Sequence, residues 1–405
     1  MAIAQARHRA DGSKPLRVHV ILWNSLGQGS IAHAITELLD NLPADRVERR
    51  LWSLGRHPTS PRDYHSPALS DLVSRALNKF GVPATIQGRI AAPRVLRSIE
   101  AGDIVYVWPP FDLPFIKRAQ QKGAIVVAER TNCMAPMARD ALTKAYARRG
   151  MPLPAGWFPA PVMAEEVRQM TQCDFVIARN SFVSQSLRDV GIPQERILEG
   201  SYGYSPQRLA SAIGIDRPER PPVFLFVGYG IIGKGLDVLL EAWDRAKVNG
   251  SLLLAGELEP EMQASYEHIL ARPDVNALGF VGDIASVYAA ADVFVFPSHV
   301  EGGPQVCYEA AGCGLPSIIS PMGAGRLVRH EAEGLIIDPL DTEDMVRALR
   351  RMAEDPELRR ALGRTAAERA RQFTWPRVAT ELYEHFSAIA RGDATPVADR
   401  VPIDE

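Results

Sequence analysis

The stretch FLFVGYGIIGKGLDVLL, residues 224–240, joins a short apolar run to an amphipathic one through Gly228, Gly230, Gly233 and Gly235. The run before the glycines has the length and aromatic, β-branched character of a buried strand, and LDVLLEAW after them has helical spacing. Strand, tight glycine turn and helix make the repeating unit of doubly wound α/β sheets, whose parallel strands are covered by helices on both faces.

The same alternation runs outward in both directions. In the first half the candidate strands are residues 17–23, 49–54, 103–108, 124–129 and 175–179, and in the second half 223–228, 251–256, 275–281, 292–298, 316–320 and 334–338. The sequence therefore predicts an α/β protein of two doubly wound, Rossmann-like domains facing across a cleft. The expected divisions are an N-terminal domain over 1–208, a proline- and charge-rich linker over 209–222, a second domain over 223–374, a final helix over 375–391 packing back on the first domain, and a tail over 392–405.

Bulk properties fit that plan. A chain of 405 residues is long enough for two cores. Hydrophobic residues at 46% and charged ones at 23% are those of a globular protein, and a net charge of −2 gives no reason to expect nucleic acid. Cys133, Cys173, Cys307 and Cys313 are scattered and form no Cys-x-x-Cys pair, so no zinc cluster or disulfide framework is indicated. The polar MAIAQARHRADGSKP start lacks a signal peptide's apolar core, and no run approaches the ~20 apolar residues of a membrane span, so a cytoplasmic protein is expected.

The loop at 228–235 admits two readings. Gly228, Gly230 and Gly233 spell a dinucleotide fingerprint, and Glu257 lies at a suitable distance to meet a ribose. Against NAD stands Asp237, where a small residue should let helix and strand pack closely. Lys234 at the helix start adds a point charge to the positive helix end, a combination suited to an anion. A second glycine loop, NSLGQGS, places Gly27 and Gly29 after the first strand of the first domain, where the backbone can approach a ligand or simply turn.

The most informative segment is FPSHVEGGPQVCYEAAGCGLPSIIS, residues 296–320. Glu309 sits in an otherwise apolar helix, and a buried carboxylate is costly unless donors reach it; ribose and sugar hydroxyls are suitable donors. The turn Gly303, Pro304, Gln305, Val306 opens that helix, where free N–H groups can hold a diphosphate.

In these motifs the chain resembles the retaining glycosyltransferases of family four, which have the two-domain GT-B fold. The family carries two glutamates separated by seven residues, matched by Glu301 and Glu309, then a Gly-x-Pro matched by Gly314-Leu315-Pro316, and upstream a phosphate loop ending in Lys-Gly, matched by Lys234-Gly235. The resemblance spans nearly all of the second domain; the first matches in outline, through the Gly27/Gly29 loop and CDFVIARNSFVSQSL. It implies that Glu309 binds the donor's ribose, Glu301 the transferred sugar, Lys234 the diphosphate, and the 303–306 backbone both phosphate and sugar. The implied chemistry is transfer of a sugar from a nucleoside diphosphate sugar to a hydroxyl acceptor in glycan, polysaccharide or glycolipid synthesis. Configuration is retained, with no tightly bound cofactor and no obligatory metal.

Two positions depart from the family. Tyr229 stands where an Arg usually follows the first glycine, with Arg326 in PMGAGR a candidate replacement. In the first domain a His is usual at the end of a central strand, and AIVVAERTN offers Glu129 as a catalytic candidate and Arg130 on the acceptor side, or else a structural salt bridge. The stretch 138–161 mixes basic residues with Trp157 and Phe158, which leaves open a peripheral contact with the inner membrane face beside a plain acceptor loop. An NAD(P)-dependent oxidoreductase using the 228–233 glycines and a non-catalytic nucleotide-sugar-binding protein remain the competing readings.

Overall fold

A computed structural model describes residues 15–25, 30–55, 63–217 and 220–393. The chain divides into two compact units, one of Met1–Met134, Ala160–Gly200 and Pro376–Glu405, the other of Ala135–Pro159 and Ser201–Trp375.

The first unit carries strands β1 (Leu16–Ser25), β2 (Val47–Gly55), β3 (His65–Pro67), β4 (Ile104–Trp108), β5 (Ile125–Arg130), β6 (Phe175–Ala178) and β7 (Ile197–Glu199). They form one sheet in the order β3-β2-β1-β4-β5-β6-β7, every neighbouring pair parallel. β4, IVYVW, and β5 are buried at every position, as expected of strands covered on both faces. The three-residue edge strands β3 and β7 are the two that the apolar pattern misses, each being too short for a period to register.

The second unit carries β8 (Val223–Val227), β9 (Ser251–Ala255), β10 (Val275–Gly279), β11 (Val293–Phe296), β12 (Ser317–Ile319) and β13 (Gly334–Ile336), in the parallel order β10-β9-β8-β11-β12-β13. All six lie where the sequence predicts them. Phe224, Phe226, Phe294 and Phe296 fill the centre, with Phe226 and Phe296 stacked at 6.0 Å between ring centroids and Trp243 edge-on to Phe224 at 5.3 Å. Strand order reverses between β8 and β11, so the loops leaving their C-terminal ends diverge and open the crevice in which doubly wound sheets bind ligands.

The sequence predicts an unbroken first domain to residue 208, whereas 135–159 groups with the second unit. Leu142 of the helix Ala135–Arg148 lies against Gly233, and Arg148 bonds Glu241 at 2.6 Å. An amphipathic helix shows which face it buries but not which sheet it covers, so this allegiance is not visible in the pattern. The final helix spans Trp375–Arg391; from Pro376 onward it belongs to the first unit, where Phe386 meets Tyr106 edge-on at 5.4 Å.

Candidate active site

The loop after β8 is shaped by close backbone contacts. Gly230 donates its N–H to the Glu257 carbonyl at 2.8 Å, and a Cβ there would lie 2.4 Å from Leu258 and 2.6 Å from Leu236. A larger residue here would displace the ends of both leucine side chains where the loops after β8 and β9 meet. Residues Ile232–Lys234 form a 3-10 turn, and Gly235 follows with φ 68°, a left-handed conformation that side chains disfavour. A Cβ on Gly235 would sit 2.1 Å from the Pro297 carbonyl oxygen, so the Lys-Gly sequence lets this turn lie directly on the loop leaving β11.

That contact brings Lys234 to Glu301. The two form an ion pair, with side-chain exposures of 28% and 9%, so the cation keeps an open side while the carboxylate is nearly enclosed. Ser298 Oγ donates to Glu301 Oε1 at 2.8 Å, and Lys234 Nζ lies 5.3 Å from the centroid of the Phe296 ring. The Gly233 carbonyl accepts from the His299 N–H at 3.0 Å, locking the two loops together. Gly228, at φ 150°, donates to the Ala255 carbonyl at 2.9 Å, and Tyr229 is exposed beside it.

Beyond Gly302, Gly303 takes φ 140°, and the helix Gln305–Gly312 starts at Pro304 with no side-chain cap. Pro304, Gln305 and Val306 are half-buried at this start, where a helix's first N–H groups have no partner within the helix. Glu309, one turn in, is buried. Its Oε1 accepts from Arg208 Nη1 at 2.7 Å and its Oε2 from the Tyr288 hydroxyl at 2.9 Å. A carboxylate offers about four lone-pair sites, so these two bonds orient Glu309 without exhausting it. Burial and the adjacent carboxylate push the Tyr288 hydroxyl well above its ordinary pKa, so it remains a donor.

The sequence reading misses Arg208, Tyr288, Ser298 and His299. Arg208 is the last residue of the expected first domain, at the edge of the linker, and Tyr288 lies in an alanine-rich helix, and nothing local marks either as a partner of Glu309. His299 is buried beside Ser298 and its Nε2 has no hydrogen-bond partner; burial and the nearby Arg148 guanidinium lower its pKa to about 4, so the ring is neutral. Asp237, the residue that fits a dinucleotide loop poorly, is fully buried and ion-paired with Arg148, which also reaches Glu241 and Thr342. Tyr266 bonds Glu241 at 2.7 Å, and Arg149 stacks over the Tyr266 ring. A charged network thus replaces the small residue expected at Asp237. Arg326 is half-buried, and its carbonyl accepts from Arg369 at 2.7 Å.

In the first unit the expected residues have different surroundings. Glu129 has no solvent exposure: Arg179 grips it bidentately, Nε to Oε1 at 2.7 Å and Nη2 to Oε2 at 2.9 Å, and the Tyr106 hydroxyl bonds the same Oε2. Arg130 donates to the Asn132 and Cys133 carbonyls at 2.8 Å and pairs with Glu166 at 2.6 Å, which ties down the turn after β5. Gly27 and Gly29 lie outside the described residues.

Among the described residues, no group of three or more His, Cys, Asp or Glu side chains could hold a metal ion, and no helix is long and apolar enough to cross a membrane. The four cysteines are buried; Cys173 and Cys313 are raised to about 12 by burial and Cys307 well above its ordinary value, so these three are protonated thiols and poor nucleophiles.

Two parallel α/β units, the second with a cation and two carboxylates at its strand-order reversal, define a protein of the GT-B class. The fold is shared by sucrose-phosphate synthase from Thermosynechococcus elongatus, at TM-score 0.72 and 18% identity over 92% of this chain and 98% of that one. It is also shared by Anabaena HepE in complex with UDP-glucose, at TM-score 0.63 and 16% identity over 92% and 100%. The family profile of glycosyl transferases group 1 matches residues 212–369, most of the second unit. Among curated relatives, a D-inositol 3-phosphate glycosyltransferase of Saccharomonospora viridis is 40% identical over 120 residues, 29% of this chain and 28% of that protein. One of Segniliparus rotundus is 32% identical over 194 residues, 45% of this chain and 43% of that protein. The chain thus spans less than half the length of these relatives.

Proposed function

We propose that the protein moves a sugar from a nucleoside diphosphate sugar to a hydroxyl of its acceptor, retaining anomeric configuration. The observation that carries this reading is the convergence of Lys234, Glu301 and the uncapped helix start at Gly303–Val306 on the loops leaving β8 and β11, with Glu309 one turn away. Lys234 and the N–H groups of Gly303, Gln305 and Val306 meet the diphosphate and stabilise it as charge develops on leaving, electrostatic help that needs no proton transfer. Glu301, held by Ser298, takes hydroxyls of the transferred sugar, and Glu309, oriented by Arg208 and Tyr288, takes the ribose.

Gly228, Tyr229, Gly230 and Gly233 form the loop wall beside the phosphates, and Arg326 supplements the cationic side. We assign Glu129 and Arg130 structural parts, because their polar atoms are spent on Arg179, Tyr106, Glu166 and backbone carbonyls. The UDP-glucose complex of HepE makes UDP-sugars the first donors to test, and the relatives' names make an inositol phosphate the first acceptor.

The test is release of nucleoside diphosphate from a panel of UDP-, GDP- and ADP-sugars, alone and with hydroxyl acceptors. Release from one donor, stimulated by an acceptor that gains the sugar's mass, is expected. Tight donor binding with no turnover under any acceptor would reduce the protein to a nucleotide-sugar binder, and neither binding nor release would overturn the proposal.

A further inference from the structure

The first unit presents an exposed apolar and basic face that no step of sugar transfer uses. The described residues contain thirteen exposed large hydrophobic side chains, and five of them, Leu72, Val73, Phe80, Ile86 and Ile90, fall within 19 consecutive residues. Leu72 and Phe80 are 75% and 79% exposed, so these are not residues half-tucked at a core edge. Arg75, Lys79 and Arg89 lie in the same stretch and Arg94 and Arg97 just beyond it, all exposed, with no acidic residue from Leu72 to Ile99; Arg89 also pairs with the buried Asp112 at 3.2 Å while staying 61% exposed.

The orientation of this face is fixed by packing. The helix Ala84–Ser98 buries Gln87, Gly88, Ala91, Ala92 and Val95. A Cβ on Gly88 would lie 2.7 Å from the Trp23 ring, so the helix sits hard against β1 and cannot roll to hide Ile86 and Ile90. Ile86 and Ile90 are one turn apart on the opposite side, flanked by Arg89, Arg94 and Arg97. On the helix Asp71–Lys79, Leu72, Ala76 and Lys79 share an outward stripe that runs on to Phe80.

We propose that this face docks the protein on an anionic lipid bilayer. Apolar side chains on two adjoining helices, interspersed with cations and with Asp71 at the start of the first helix as the only acid on either, match an interface in which the apolar groups enter below the headgroups and the cations meet lipid phosphates. Charge argues against a second copy of the chain as occupant, because a two-fold contact would set the cationic side chains of one copy against those of the other. The basic residues of the 138–161 stretch are a weaker footing, since Arg148 is engaged by Asp237 and Glu241 and Arg149 lies over Tyr266.

Co-sedimentation of the full chain with vesicles of phosphatidylcholine, with and without phosphatidylglycerol, tests this. Binding is expected only to the anionic vesicles and should weaken as salt rises, because the attraction is screened. The double substitution Phe80→Glu with Ile90→Glu should lower partitioning about tenfold or more while leaving the melting temperature unchanged, both residues being exposed. Trp157→Ala should bind as the wild type does. No binding to anionic vesicles, or undiminished binding by the double variant, would overturn the proposal. So would a dimer in size-exclusion chromatography that the double variant abolishes without any vesicle binding in the parent.

Discussion

Each unit carries a carboxylate gripped by a cation near the C-terminal end of a sheet strand, and the two pairs are opposites in accessibility. Glu129, in β5, is sealed with Arg179 at 0% and 2% side-chain exposure, while Glu301, beyond β11, faces Lys234 at 9% and 28%. The sealed pair has its oxygens occupied by a bidentate guanidinium and a phenol, so exchanging a partner would strand a buried charge. The open pair joins two loops rather than two strands, and its ammonium retains donors for another ligand. A carboxylate at a strand end therefore marks a site only where its partner has been left a free side.

The sealed pair should respond to substitution through stability. Glu129→Gln leaves Arg179 buried without its counter-charge, a loss of about 3–5 kcal/mol, read as a large fall in melting temperature with donor affinity of the folded protein unchanged. A variant that melts normally but no longer turns over would move Glu129 from the frame to the chemistry and erase the contrast.

The open pair should respond through turnover. On the proposed function, Lys234→Ala removes a charge that stabilises the leaving diphosphate and should lower kcat about 10²- to 10³-fold. Its melting temperature should fall less than that of Glu129→Gln, because Ser298 still donates to Glu301 and the space left by the part-exposed lysine opens to water. Steady-state kinetics beside a thermal melt separate the two effects.

Within the second unit, Glu309→Ala should weaken donor binding by about 1.5–3 kcal/mol, the value of hydrogen bonds to a charged group. Arg208→Ala, which removes only an exposed orienting partner, should cost less than about 1 kcal/mol. Calorimetric titration with the preferred nucleoside diphosphate ranks them, and equal losses would mean that Arg208 contacts the donor itself.

The effect that depends on pH concerns His299. Its folded pKa of about 4 lies below the ordinary value of 6.5, so between those values the unfolded chain binds a proton that the folded one does not. The stabilisation is complete above pH 6.5 and is lost as pH falls towards 4. Between pH 7 and pH 5 this one group should account for ~2 kcal/mol. Melts of the wild type and His299→Gln across that interval should diverge by that amount, the variant being the flatter.

Much of the frame was legible because parallel strands covered on both faces read as unbroken apolar runs; IVYVW and VFLFV leave little choice. Glu309 was legible because a carboxylate among apolar helical neighbours calls for an explanation, and Glu301 through the two-glutamate spacing of the family it resembles. The partners of these residues were not. Arg208 reaches Glu309 across 101 positions and Lys234 reaches Glu301 across 67, separations at which only tertiary packing decides who meets whom. Asp237 was legible as a misfit, but its cause, Arg148, comes from a helix whose apolar stripe does not say which unit it serves. Glu129 shows the converse limit: AIVVAER reveals a carboxylate at a strand end, and nothing in those letters says whether the next strand closes over it.

The most direct test of the central claim, that the loops around Lys234, Glu301 and Glu309 bind a nucleoside diphosphate sugar, is a thermal melt of the full chain with nucleotide sugars and, separately, with NAD and NADP. A ligand of the folded state stabilises it by RT ln(1 + [L]/Kd), so the right donor at about 100 Kd should add ~2.7 kcal/mol and raise the melting temperature, while NAD and NADP add nothing. A shift with NAD or NADP and none with UDP, GDP, ADP or their sugars would contradict the claim and return the glycines at 228–233 to a dinucleotide.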